Sequence, residues 1–206
     1  MLTDLCDRYD LSEAVCHRLE HLDAELIETS AHTNLIARST VDDRFERHYA
    51  DSLQLLPLFP TSCRRILDIG SGGGFPALPL AAVAMTRHPT WRFTLVESVG
   101  KKAAYLRRAA ARAGLSNVTV IAGRAERMSE RFDVVTARAV AALPALLDLA
   151  VPRLSPGGTF IVPKGRQAEA EVTAASSAWH MTAKRVKSAT DPEATILLLT
   201  DLERRS

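Results

Sequence analysis

The spacing of apolar positions along this chain changes near residue 60. Before that point Leu11, Val15, Leu19, Leu22, Leu26 and Ile27 recur three and four residues apart with charged side chains between them, which predicts an amphipathic helix over about 11–29. A second helix is expected over 41–55, ended by Pro57 and Pro60. After Cys63 the chain alternates short β-rich runs with helical stretches. The runs are ILDI at 66–69, FTLVE at 93–97, VTVIA at 118–122, FDVVTA at 132–137, TFIV at 159–162 and TILLLT at 195–200. The helices between them are expected over about 76–88, 100–113, 143–153 and 166–177, with Gly114 placed to end the second. Alternation of this kind implies βαβ units around a mostly parallel sheet. WHMTAKRV at 179–186 reads as a further strand before a turn at Asp191 and Pro192, with no pairing legible. The expected division is an N-terminal helical cap, residues 1–60, and a Rossmann-like domain, residues 61–206.

A length of 206 residues with 47% hydrophobic side chains is sufficient for a sizeable core. The net charge of +2 hides a split: residues 1–60 hold five basic and twelve acidic side chains, and the remainder holds 21 basic and twelve acidic ones. The sheet-forming part is therefore basic and admits a polyanionic partner. Cys6, Cys16 and Cys63 have no C-x-x-C spacing, so neither a disulfide framework nor a zinc ribbon is expected, and a reducing compartment fits best. The start, MLTDLCDRYD, lacks the basic and apolar regions of a signal peptide, and no run approaches 18 apolar residues. A soluble, cytoplasmic protein without a membrane partner is expected.

The run ILDI leads directly into GSGGGFP at 70–76, a glycine-rich turn from a strand into a helix. Such a turn reverses tightly and lets a ligand lie against bare backbone at the carboxyl edge of a parallel sheet. A dinucleotide fingerprint would need glycine where Phe75 stands, which argues against a pyrophosphate ligand. Asp68, two residues before Gly70, can attract an ammonium or sulfonium charge. Glu97 closes the second β run, where a carboxylate can accept hydrogen bonds from both hydroxyls of a ribose. GRAE at 123–126 follows the third run, where backbone and the small Ala125 can frame an adenine. Each feature alone has an ordinary structural explanation; their order at the ends of successive strands points to S-adenosylmethionine.

These motifs place the chain. NL at 34–35, RHYADS at 47–52, LDIGSGGGFPALPLA at 67–81, LVESVGKKAAYLR at 95–107, GRAE at 123–126, TARAVAAL at 136–143 and KGR at 164–166 together resemble the 16S ribosomal RNA methyltransferase G family, also called the glucose-inhibited division protein B family. The resemblance implies a Rossmann-like class I methyltransferase, a doubly wound, mostly parallel seven-stranded α/β sheet with an N-terminal helical extension. It implies methyl transfer from S-adenosylmethionine to N7 of a guanine in 16S ribosomal RNA or a small-subunit precursor. By the same resemblance the cofactor contacts fall on Gly70, Phe75, Ala125, Glu126 and Arg138, with Glu97 at the ribose; Asp68 and Gly72 join them from the residue-level reading. Lys164 matches the family's lysine after the fifth strand. Two departures stand out: ETSAHT at 28–33 replaces a usual tryptophan, asparagine and basic stretch, and Ala77 replaces a glycine.

Guanine N7 has an in-plane lone pair and no proton, so no general base is expected, and neither is a metal. Arg138, after the fourth β run, is the expected positioning residue, with an ion pair to Glu126 or Asp133 as its ordinary alternative. His48, Lys101, Lys102, Arg124, Arg127, Lys164 and Arg166 are candidates for RNA contact, along with Arg107 and Arg108. His48 and Asp51 share a helical face that looks either into the site or onto the core. HRLEH at 17–21 spells a zinc-protease pattern, but it lies on an acidic amphipathic helix far from the glycine turn and is set aside. Trp91 and Trp179 are too sparse for a base-stacking platform. Two other functions use the same features, a small-molecule methyltransferase and a non-enzymatic or NAD-binding module, and a monomer is expected.

Overall fold

Ile66, Leu67 and Ile69 are all buried in β1 (Arg65–Ile69), as in a strand covered on both faces. The structure, a computed structural model described over residues 1–205, continues through β2 (Arg92–Glu97), β3 (Val118–Ala122), β4 (Phe132–Ala137), β5 (Leu154–Lys164), β6 (Trp179–Lys187) and β7 (Thr195–Arg204). These form one sheet in the order β3-β2-β1-β4-β5-β7-β6, parallel throughout except that β7 runs antiparallel to both β5 and β6. The β6 segment, whose pairing the sequence left open, thus forms the far edge. The order reverses between β1 and β4, which opens a crevice at their carboxyl ends.

In chain order the helices are α1 (Leu2–Arg8), α2 (Glu13–Ser30), α3 (Asp51–Leu53), α4 (Ala77–Arg87), α5 (Gly100–Arg112), α6 (Leu143–Ala150) and α7 (Ala168–Ala175). One face of the sheet, through Ile66, Phe93, Leu95 and Val134, packs on α4 and α5, and the same core takes in Leu19, Leu22 and Leu26 of α2. The opposite face, through Leu67, Val96, Val135 and Phe160, packs on α6 and α7. The N-terminal helices therefore share a core with the sheet. Glu25 of α2 is 7% exposed and is met there by Arg108 (2.9 Å) and Arg112 (3.2 Å) of α5.

Three expectations are corrected. The helix expected over 41–55 is a π-helical stretch, Phe45–Ala50, in which the Asp51 N–H reaches back to Glu46, followed by the short α3. Apolar spacing fixes a helix but not which carbonyl each N–H meets, and the Ser52 hydroxyl also donates to the His48 carbonyl at 2.6 Å. The helix expected over 143–153 stops at Ala150 and gives way to a tight turn, Val151–Arg153, with Pro152 inside it. Cys6 and Cys16 are joined by a disulfide, their Cα atoms 6.1 Å apart, because the turn between α1 and α2 folds one helix against the other. Cys63 is free and buried, which pushes its thiol up to about 12. No helix among the described residues is long and apolar enough to cross a membrane.

Candidate functional site

The glycine turn is held from two strands. Asp68 is 1% exposed; its Oδ1 accepts the Thr136 hydroxyl of β4 at 2.7 Å, while its Oδ2 has no hydrogen-bond partner among the described residues. Burial pushes this carboxyl up to about 7. Glu97 ends β2 with Oε2 accepting the Gly72 N–H (2.9 Å) and Oε1 accepting the Val99 N–H (2.8 Å), so one carboxylate fixes both the turn and the start of α5. Gly72 has φ +51° and open space where a side chain would stand, with only the Gly70 carbonyl 3.7 Å from a β-carbon. Gly73 is confined: a β-carbon there would lie 2.9 Å from the Leu35 carbonyl, so the NL segment of the extension rests directly on the turn. Ala125 is buried and Glu126 exposed in the short turn Ala125–Arg127 after β3.

Phe75, carried over as a cofactor contact, is 6% exposed and enclosed by protein. His48 stacks on it (5.0 Å between ring centroids, 25°), Tyr49 meets it edge-on, and the Arg138 guanidinium lies 5.2 Å from its centroid. Arg138 pairs with neither Glu126 nor Asp133. It donates to Asp51 Oδ2 (3.0 Å), the Arg47 carbonyl (3.2 Å) and His48 Nδ1 (2.8 Å). With Nδ1 accepting, His48 Nε2 carries the proton and donates to the Thr40 hydroxyl at 2.9 Å, which in turn donates to the Ala37 carbonyl. Burial, then the charges of Arg138 and Arg47, hold the imidazole down at about 4, so it is neutral near pH 7.

A cavity of about 680 Å³ opens at the carboxyl ends of β4 and β5, bounded by Asp51, Arg138, Val140, Lys164, Thr190 and Asp191. Val140 links the cavity to the glycine turn, since a β-carbon on Gly70 would sit 2.7 Å from Val140 Cγ2. The loop that bears Val140 is clamped from behind. Lys164 donates to the Ala141 carbonyl (2.8 Å) and pairs with Glu171 (2.7 Å), whose Oε2 also accepts the Leu143 N–H (2.6 Å).

The remaining basic candidates divide by position. Lys101 and Lys102 begin α5, Arg124 precedes and Arg127 ends the turn after β3, and Arg166 follows β5, all on the same sheet edge as the cavity. Among the described residues, the first four make no ion pair, while Arg166 meets Glu193 on the surface at 2.7 Å. Arg108 is turned inward to Glu25, and Arg107 donates to the Val120 carbonyl. His48 and Lys164, the other two candidates for RNA contact, lie in the cavity wall with their polar atoms engaged by protein partners; the Lys164 side chain is 9% exposed. His17, of the zinc-like pattern, sits on the surface between Glu13 and Glu20, and no three metal-ligating side chains converge among the described residues. Sequence reasoning missed Thr190 and Glu171 and left Asp51 undecided. The i,i+3 spacing of His48 and Asp51 was the one available signal.

The sequence profile of the family described as rRNA small subunit methyltransferase G matches residues 15–197. A protein named ribosomal RNA small subunit methyltransferase G from Rhodospirillum centenum is 42% identical, with 98% of this chain and 92% of that protein covered. One of the same name from Acidiphilium cryptum is 44% identical over 90% and 85%. Among solved structures, the N-methyltransferase NodS from Bradyrhizobium japonicum in complex with S-adenosyl-L-homocysteine superposes with a TM-score of 0.58 at 20% identity, over 89% of this chain and 98% of that one. An O-methyltransferase from Bacillus cereus, also in complex with S-adenosylhomocysteine, gives 0.58 at 19% identity, over 87% and 90%. These two likenesses establish the fold.

Proposed function

Because the chain belongs to the rRNA small subunit methyltransferase G family, we propose that it methylates N7 of a guanine in 16S ribosomal RNA, with S-adenosylmethionine as the methyl donor. The observation that carries this reading is that the loop bearing Val140 lies against Gly70 of the glycine turn and also lines the 680 Å³ cavity, so turn and cavity are neighbours on one sheet edge. The residues at the turn fit the donor: a buried acid with an unpartnered oxygen, a glycine open to a ligand, and an acid at the end of β2. When bound, S-adenosylmethionine supplies a methyl group activated by a sulfonium charge.

Asp68 would face the donor's positive charge, Glu97 its ribose, and Ala125 with Glu126 its adenine. Gly70 and Gly72 let it approach the backbone, and Phe75 supports the site as the platform under Arg138. Arg138 positions the base and is itself positioned by His48. N7 attack needs no proton acceptor, which agrees with a neutral His48 whose two ring nitrogens are already committed. Lys101, Lys102, Arg124, Arg127 and Arg166 form a basic rim around this edge that would draw in the phosphates of the RNA. The extension over 1–60 acts as a cap on the donor site through Leu35.

The test is to map N7-methylguanine in small-subunit RNA from cells with and without the gene. Methylation should vanish with the gene, return with the wild-type copy, and return poorly with Glu97→Ala. That variant should bind the donor at least ~10-fold more weakly, since charge-assisted hydrogen bonds contribute ~1.5–3 kcal/mol each. Unchanged methylation in the deletion would refute the assignment.

A further inference from the structure

We propose that Asp51 is the fixed counter-charge for the purine as it becomes cationic in the cavity. This rests on the N7 reading above. When N7 uses its lone pair to form the new N–C bond, the S–C bond breaks with its electron pair to sulfur, no proton moves, and the positive charge passes to the purine ring. The cavity into which that charge arrives is lined by three cationic side chains, Arg47, Arg138 and Lys164. Unbalanced, they would oppose the reaction. Each has a carboxylate partner, and the three partners differ in what they can do. Asp191, paired with Arg47 at 3.4 Å, is 35% exposed on the rim and screened by water. Glu171 directs Oε2 to Lys164 and the Leu143 N–H, behind the loop.

Asp51 lies in the cavity wall, its side chain 17% exposed, beside the arginine that adjoins the donor turn through Phe75. Its carboxylate cannot turn away. Oδ2 accepts from Arg138 at 3.0 Å, while Oδ1 accepts from the Thr190 hydroxyl and from Gln54 Nε2, both at 2.8 Å. Three parts of the chain converge on it: Gln54 just after α3, Arg138 after β4, and Thr190 in the β6–β7 connection. A charge oriented before the reaction stabilises charge that develops during it without the cost of reorganisation.

The experiment compares binding of two RNAs, small-subunit RNA from cells lacking the gene and the same RNA after methylation by the wild-type protein, with S-adenosylhomocysteine present to prevent turnover. Asp51→Asn should weaken binding of the methylated RNA at least ~5-fold more than that of the unmethylated RNA, and lower kcat ~100-fold with donor affinity unchanged. Asp51→Glu, which keeps the charge, should hold the ratio of the two affinities within ~3-fold of wild type, on the same electrostatic argument. An Asn variant that keeps the wild-type ratio, or a Glu variant that loses it, overturns the proposal. Wild-type protein that leaves no N7-methylguanine in the RNA overturns the functional reading instead.

Discussion

His48 accepts a hydrogen bond from Arg138 at 2.8 Å through Nδ1, and burial of the ring, followed by this contact, disfavours its protonated form. A protonated imidazole would place a donor against a donor and a cation against a cation. The folded state therefore favours neutral His48, held at about 4 against 6.5 for a free side chain. Stability from this site is intact above about 6.5 and is lost as pH falls from there towards about 4. Urea unfolding near pH 7.5 and near pH 5 should show wild type losing more stability on acidification than His48→Gln. The same variant should lower kcat by ~10–100-fold, because a misdirected Arg138 loses the positioning on which the reaction depends.

Asp68 leads to a prediction about binding rather than folding. Its carboxyl is raised to about 7 by burial, so facing a positive charge requires the release of a proton when the pH is lower. Donor affinity should rise ~10-fold per pH unit below about 7 and level off above it. Calorimetry in buffers of different ionisation enthalpy should detect one proton released per donor bound near pH 6. Asp68→Asn should bind more weakly and abolish the pH dependence; a variant that retains it assigns the proton to another group.

Lys164 and Glu171 act on the loop at 139–142 rather than on solvent. Lys164→Met should lower kcat ~10–100-fold while changing donor affinity little, since an interaction that positions the reacting groups is expressed mainly in the transition state. Lys164→Arg should recover part of the loss. Pairing Lys164→Met with Glu171→Gln should cost less than the sum of the two, because each single change leaves the other partner's charge unmatched in a largely enclosed site. Strict additivity in such a cycle would mean that the pair is not a unit.

RNA affinity should fall steeply with salt. Replacing Lys101 and Lys102, or Arg124 and Arg127, with alanine should reduce the log-log salt slope by ~0.7–0.9 for each phosphate that is no longer neutralised, with donor affinity nearly unchanged. A slope identical to wild type in both double variants would place the RNA on another surface.

The sheet was legible because its strands are short apolar runs whose helical intervals enforce parallel pairing. All six runs fall within strands of the structure, and β6, without strong apolar alternation, was visible only as an unpaired run. The glycine turn and the acids beside it were legible for a related reason, since Asp68, Gly70, Gly72 and Glu97 lie at or just beyond the carboxyl ends of β1 and β2. The cavity side was not. Asp51 finds Arg138 87 residues later and Thr190 139 residues later, and Lys164 and Glu171 meet across a turn, so no local spacing announces them. The link between Cys6 and Cys16 escaped for the same reason, because it depends on how two helices fold back on each other.

The meeting of Glu25 with Arg108 and Arg112 has a bearing on how the protein is made. Helix α2 is translated early, yet the partners of its buried acid, and the Tyr105 and Leu106 that share its core, lie some 80 residues further on. Until α5 has left the ribosome, the apolar stripe of α2 has no complete surface to cover it and Glu25 has no cation to meet. The opening helices therefore complete their core only once the middle of the chain is available, because the partners that cover the apolar stripe of α2 and meet Glu25 lie in α4 and α5.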